Sequence, residues 1–226
     1  MKKWSELPQN MQTDAVKVYY DILKSKTASL ILKRIFDIIV SSVLIVICSP
    51  IMLILAICIK IDSKGPVMFR QRRVTTYNRV FRIFKFRTMV NDAEKKGTQV
   101  TTNNDPRVTK VGKLIRGCRL DELPQLFNVF LGDMTFVGTR PEVEKYVAAY
   151  TDEMMATLLL PAGITSVASI KYKDEERLLE AAENTDEVYI NEVLPEKMKY
   201  NLEALKNFSF FGDIKIMFQT VFAVLK

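Results

Sequence analysis

The chain has 226 residues, 48% hydrophobic and 26% charged, with a formal net charge of +7, which suits one domain with a core and excludes a disordered or low-complexity tail. It contains no histidine, so Ser-His-Asp, Cys-His and HExxH chemistry is excluded, and any nucleophile or proton carrier must be a carboxylate, lysine, tyrosine or metal-bound water. Its three cysteines, Cys48, Cys58 and Cys118, lack CxxC spacing, which argues against a disulfide framework or zinc ribbon and for a reducing compartment.

Residues 1–32 read as a distinct N-terminal segment. Met11, Ala15, Val18, Tyr19, Ile22 and Leu23 follow helical spacing, bordered by Lys17, Lys24 and Lys26. Two placements are open: an amphipathic helix on an anionic membrane, and a helix packed on the rest of the protein. Residues 33–62 form the next segment. From Ile38 to Ile59 there is no charged residue, a run of 22 positions that as a helix reaches across bilayer hydrocarbon. It lies too deep in the chain, and is too long, for a cleavable signal peptide. Ser49-Pro50 falls at its centre, where proline removes a backbone bond, and both flanks are basic. A single transmembrane pass and a re-entrant pair broken at Ser49-Pro50, entering and leaving on the cytoplasmic face, are both compatible with this pattern.

Residues 63–226 are expected to form the soluble domain. Val67–Phe69 and Val80–Phe86, alternating and rich in aromatic and β-branched residues, predict a short hairpin around a polar loop at 75–78. Gly97 to Asp105 predicts a loop. Helices are predicted at Val108–Cys118, from Asp121-Glu122-Leu123-Pro124 onward, at Val143–Leu160, Glu175–Ala182, Pro195–Leu205 and Phe208–Leu225. The fold class is therefore α+β and mostly helical.

Charge is unevenly spread. Residues 60–87 hold nine basic groups against Asp62 alone, whereas residues 88–226 are net acidic. Such a block faces phosphate, whether of lipid, nucleic acid or a phosphorylated substrate. Against it stands the adjacent pair Asp121-Glu122, either a plain helix cap or an ionised nucleophile or Mg²⁺ ligand. Lys85, Arg87, Arg116 and Arg140 converge on that pair from separate stretches, as expected of groups gripping phosphate oxygens. The glycines of GDMTFVGTRP permit close backbone approach but follow no Walker or Rossmann spacing. A membrane-tethered basic module that holds acidic polymer without chemistry is the alternative reading. Nucleic acid is disfavoured, since no reader motif is present.

Taken together, KRIFD (33–37), the Ser49-Pro50 break, GPVMFRQRR (65–73), KFRTM (85–89), DPRVTKVGKLIR (105–116), LDELPQLFNVF (120–130) and GDMTFVGTRPE (132–142) resemble, in order, the small monotopic phosphoglycosyl transferases of the bacterial sugar transferase family. PAGIT (161–165) and FFGDIKIMFQT (210–220) extend the likeness. The resemblance implies a Pro-broken re-entrant helix beneath a catalytic domain, with amphipathic surface helices, on the cytoplasmic face of the bacterial plasma membrane. It implies transfer of a sugar-1-phosphate from a UDP-sugar to polyprenyl (undecaprenyl) phosphate with release of UMP, the first membrane step of glycan, capsule or exopolysaccharide synthesis. By the same resemblance Asp121 is the covalent nucleophile, Glu122 assists acid–base steps or positions the site, and Mg²⁺ bridges Asp121 and the diphosphate. Lys85, Arg87, Arg116 and Arg140 hold phosphate. Membrane lipid is an expected partner, and a homodimer and downstream glycosyltransferases are compatible ones. Departures from the family pattern at Thr75, Asn78, Arg119 and Thr139 and within 161–166 bear on which sugar is used.

Overall fold

A computed structural model describes residues 1–91, 93, 105–172 and 184–225. The loop expected at 97–105 (save Asp105) and the helix expected at 175–182 lie outside the described residues. Two 3₁₀ turns, Trp4–Glu6 and Gln9–Met11, lead into α1 (Asp14–Ser25), whose first turn is capped by Thr13 Oγ1 accepting from the Val16 amide at 3.4 Å. Its buried face is Val16, Tyr19, Tyr20 and Leu23, while Val18 points outward. That face packs on Val147, Met155, Leu158, Leu202, Leu205 and Phe208. Of the two placements open for this helix, the structure has the packed one.

α2 (Thr27–Asp62) runs 36 residues, about 54 Å at 1.5 Å per residue, and is long and apolar enough to cross a membrane. Pro50 lies inside it rather than ending it. The carbonyl that Pro50 leaves without an amide partner is that of Val46, four residues back, and Ser49 Oγ donates to it at 2.8 Å. The Ser-Pro pair thus satisfies its own backbone where the flanking Val46, Ile47, Leu53 and Ile54 are exposed and apolar.

The helix is fastened near both ends. Lys33 Nζ donates to Val137 O at 2.8 Å and pairs with Asp213 at 2.5 Å. Arg34 donates to the carbonyls of Val129 and Phe130 at 2.7 and 2.8 Å. Asp37 accepts from Thr135 Oγ1 at 2.7 Å and from the Phe136 amide at 3.3 Å. At the far end Met52, Leu55 and Ile59 pack on Phe86 and Ile115.

β1 (Met68–Thr75) and β2 (Arg79–Phe86) pair antiparallel in the register Thr75↔Arg79 to Met68↔Phe86. The turn between them holds Tyr77 and Asn78 at φ 57° and 58°, a left-handed conformation that Asn tolerates well. α3 (Lys110–Gly117) follows, capped by Thr109 Oγ1 on the Gly112 amide at 3.0 Å and by Asp62 Oδ2 on the Val111 amide at 3.1 Å.

The helix expected to begin at Asp121 starts later. Arg119, at φ 53°, turns the chain into a 3₁₀ turn, Leu120–Glu122, and α4 (Gln125–Leu131) begins only after Pro124. A short parallel pair absent from the sequence reading joins β3 (Met134–Val137) to β4 (Ala162–Thr165). Between them the helix expected over Val143–Leu160 is broken into α5 (Glu144–Val147) and a 3₁₀ run, Met154–Leu159. Thr151 Oγ1 accepts from the Met154 amide at 3.3 Å, starting a new turn in competition with helix continuation. α6 (Val167–Lys171) and α7 (Thr185–Val188) precede a π turn, Tyr189–Val193. α8 (Leu194–Lys206) and α9 (Phe210–Leu225) match their expected positions. α9 lies against β3 and the first half of α2, with Ile216 and Met217 on that core and Phe36 edge-on to Phe210.

Candidate active site

Four elements bring the acidic pair and its cations together. The pair sits on the 3₁₀ turn between α3 and α4, Lys85 near the end of β2, Arg116 at the end of α3 and Arg140 just beyond β3. Their relative placement is fixed by buried polar bonds. Asn128 of α4, fully buried, accepts from the Phe84 amide through Oδ1 at 2.9 Å and donates through Nδ2 to Arg82 O at 3.0 Å. Its amide thus takes the place of a neighbouring strand and locks β2, with Lys85, to the helix that follows the carboxylates. Gly112 lies so close to β2's extension that a Cβ there falls 2.0 Å from Thr88 O. Gly163 and Gly138 likewise meet backbone to backbone, a Cβ on Gly163 falling 2.2 Å from Gly138 N and O. That contact, with the Gly163 amide donating to Thr139 O at 2.8 Å, sets the path of the chain into Arg140. The GDMTFVGTRP glycines therefore allow close packing of protein on protein: Gly132, at φ 87°, ends α4, and Gly138 abuts β4.

Glu122 is the hub. Its Oε1 accepts from Lys85 Nζ at 2.8 Å and from an Arg140 guanidinium nitrogen at 3.1 Å. Burial alone raises a carboxyl's pKa, but Arg140 and Lys85 overturn that and hold Glu122 well below the usual carboxylate range. Asp121, 9% exposed, shifts the other way. Burial raises it and the Glu122 charge adds to the rise, while Lys85 and Arg116 oppose it. Two neighbouring carboxylates are thus driven apart, one kept ionised and one kept basic, a pattern typical of divided chemical roles.

Arg87, expected at the phosphates, is not brought to the pair. It is 5% exposed and its guanidinium donates to Ser63 O (2.7 Å), Ser63 Oγ (2.8 Å), Lys64 O (3.1 Å) and Ile59 O (3.4 Å), tying down the end of α2. Gly65 is required there, since its Cβ would fall 2.0 Å from that guanidinium. Arg73 of the basic block is also turned inward, donating to Gln71 Oε1 at 2.7 Å and to Pro141 O at 3.2 Å.

A network missed in the sequence lies directly behind Arg140. Glu142, 6% exposed, accepts from Tyr189 Oη at 2.5 Å, and Lys197 Nζ donates to Tyr189 Oη at 3.0 Å. With Arg73 on Pro141 O and the Val74 amide on Glu142 O at 2.9 Å, it clamps the Arg140–Glu142 backbone from both sides. The only trace in the sequence was the acidic end of GTRPE. Among the described residues no group of three metal-ligating side chains occurs. The donor set still suits Mg²⁺, which is commonly held by one or two carboxylates together with substrate phosphates rather than by a protein cage. Of the two carboxylates Asp121 would be the one to hold it, since Glu122 Oε1 already receives two cations.

A sequence model of the family described as bacterial sugar transferase matches residues 28–226. The chain is 39% identical over 197 residues to the UDP-N-acetylgalactosamine-undecaprenyl-phosphate N-acetylgalactosaminephosphotransferase of Aeromonas hydrophila, covering 86% of this chain and 44% of that one. It is 39% identical over 199 residues to the UDP-glucose:undecaprenyl-phosphate glucose-1-phosphate transferase of Klebsiella pneumoniae, covering 86% and 40%. The enzyme of that same name from Caulobacter vibrioides is 32% identical over 196 residues, covering 85% of this chain and 69% of that one. The chain thus spans less than half the length of the first two. With that match running from the second residue of α2 to the last of the chain, the protein belongs to the bacterial sugar transferase family.

Proposed function

We propose that this protein transfers a sugar-1-phosphate from a UDP-sugar to undecaprenyl phosphate through a covalent intermediate on Asp121. The observation that carries the reading is the divided pair: a buried, basic Asp121 beside a Glu122 held ionised by Lys85 and Arg140. An Asp121 carboxylate oxygen attacks the β-phosphorus of the donor. The bond from that phosphorus to the bridging oxygen breaks, and UMP leaves with the electron pair. An oxygen of undecaprenyl phosphate then attacks the same phosphorus, breaking its bond to Asp121 and regenerating the carboxylate. Arg140 and Lys85 stabilise charge on the transferred phosphate, and Arg116 favours the ionised nucleophile. Of the roles expected of Glu122, positioning is favoured, because a carboxylate depressed by two cations gives up no proton near neutrality. Asp121 and the donor diphosphate would hold Mg²⁺, which would supply charge neutralisation at the phosphates.

The proposed location is the cytoplasmic face of the plasma membrane, with α2 entering and leaving on one side. Support comes from its attachments: the Lys33–Asp37 end and the Ile59–Ser63 end are both bonded to the same body, which cannot occupy both sides of a bilayer. The binding-module alternative loses ground because Arg73, Lys85 and Arg87 of the basic block are engaged with internal partners. The decisive assay is UMP release across a panel of UDP-sugars with undecaprenyl phosphate and Mg²⁺, coupled to intact-protein mass spectrometry without acceptor. A sugar-phosphate adduct that disappears in Asp121→Asn is expected. Turnover by Asp121→Asn at the unmodified rate overturns the assignment.

A further inference from the structure

A cavity of about 410 Å³ lies between the end of β3, α6, α8 and the start of α9, with Thr139, the neighbour of Arg140, in its lining. Its lining includes Lys171, Glu203 and Asn207, all exposed, and no residue of α2. Its wall includes the half-buried Tyr200 and Asn201, the latter at 5% exposure. The Asn201 amide makes a single weak contact among the described residues, Nδ2 to Met198 Sδ at 3.7 Å. Its Oδ1 is not sealed from solvent, so a partner for it can come from the cavity that Asn201 lines.

We infer that this cavity receives the pyrimidine base of the nucleotide donor, with Asn201 paired to the base edge. This rests on the function proposed above. A primary amide offers one donor and one acceptor side by side, the complement of the acceptor and N3–H donor that a uracil edge presents. A hydrocarbon tail would leave that amide unsatisfied. Thr139 lines the cavity and its neighbour Arg140 reaches Glu122, so a nucleotide seated by its base has its phosphates led toward the cations around Asp121. A mostly apolar lining interrupted by polar side chains, here Asn201, Thr139, Thr157 and Ser166 among others, is the usual construction of such a site.

The test measures binding of UMP and of N3-methyl-UMP, which lacks the N3–H, to the full chain in detergent micelles by calorimetry. The unmodified protein is expected to prefer UMP by about tenfold, the worth of one buried hydrogen bond. In Asn201→Leu, UMP affinity falls about tenfold and the preference disappears, while KM for the UDP-sugar rises with kcat within about threefold. The methylated probe reads the same contact in unmutated protein, so a variant that misfolds does not decide the outcome. Equal binding of the two nucleotides by the unmodified protein overturns the base site while leaving transfer and the Asp121 adduct intact. Absence of both UMP binding and UMP release overturns the proposed function along with it.

Discussion

Lys85→Met probes the hub of the site most directly. At 2.8 Å and an effective dielectric near 20, the Lys85–Glu122 attraction is about 6 kcal/mol before desolvation is subtracted. Breaking a buried pair usually costs about 3–5 kcal/mol. Here Arg140 stays on Glu122 at 3.1 Å, and the Glu122 side chain keeps 18% of its surface, so the expected loss is nearer ~2 kcal/mol. For a chain of this size that lowers Tm by about 4–8 °C. The pH dependence has a definite sign. Because the folded-state pKa of Glu122 is depressed, its stabilisation is fully present above the ordinary carboxylate value of 4.5 and is lost as pH falls through the folded value. The part of the Lys85→Met deficit that comes from Glu122 is therefore constant at neutral pH and shrinks only in strong acid, while burial lowers the pKa of Lys85 itself. Thermal unfolding of Lys85→Met, Glu122→Gln and the double variant completes a cycle, with a coupling energy of at least about 1.5 kcal/mol expected. A coupling near zero refutes the hub.

Asp121→Asn is expected to match or exceed the unmodified protein in Tm at pH 7. A raised carboxyl pKa gives stability only in acid, lost as pH rises through the folded value, so the ionised form is a burden that asparagine removes; a clear destabilisation at pH 7 contradicts this. Gly163→Ala drives a Cβ to within 2.2 Å of Gly138 and should cost about 3 kcal/mol with loss of turnover, measured by unfolding and UMP release. Arg87→Met should lose about 2–3 kcal/mol and open residues 63–67 to proteolysis; full stability with a raised donor KM would instead return Arg87 to the phosphates. Lys2 and Lys3 should resist an impermeant amine reagent applied to intact cells, and their labelling there would favour a single pass.

The hairpin and the long apolar helix were legible because their signals are local. Val80–Phe86 alternates, and the stretch from Ile38 to Ile59 lacks charge. β3 and β4 were not legible: each is four residues long, and MTFV is buried throughout, so no alternation survives to mark a strand. Asp121 and Glu122 stood out as an adjacent pair among arginines. Their opposite pKa shifts depend on burial and on Lys85 and Arg140, which come from elsewhere in the chain. Arg87 misled for a related reason, since its partners are the carbonyls of Ile59, Ser63 and Lys64, and backbone acceptors have no letter of their own. Asn128 and Tyr189 passed unnoticed because a polar residue that bridges buried elements looks, in one dimension, like any surface residue.

The double fastening of α2 acts as a depth gauge. With Lys33, Arg34 and Asp37 gripping one end and Arg87 the other, Asp121 cannot rise or sink independently of that helix. Whatever level Val46, Ile47, Leu53 and Ile54 adopt in lipid would fix the height of the proposed nucleophile, and under that proposal an acceptor phosphate confined to the headgroup plane could meet it only at that height.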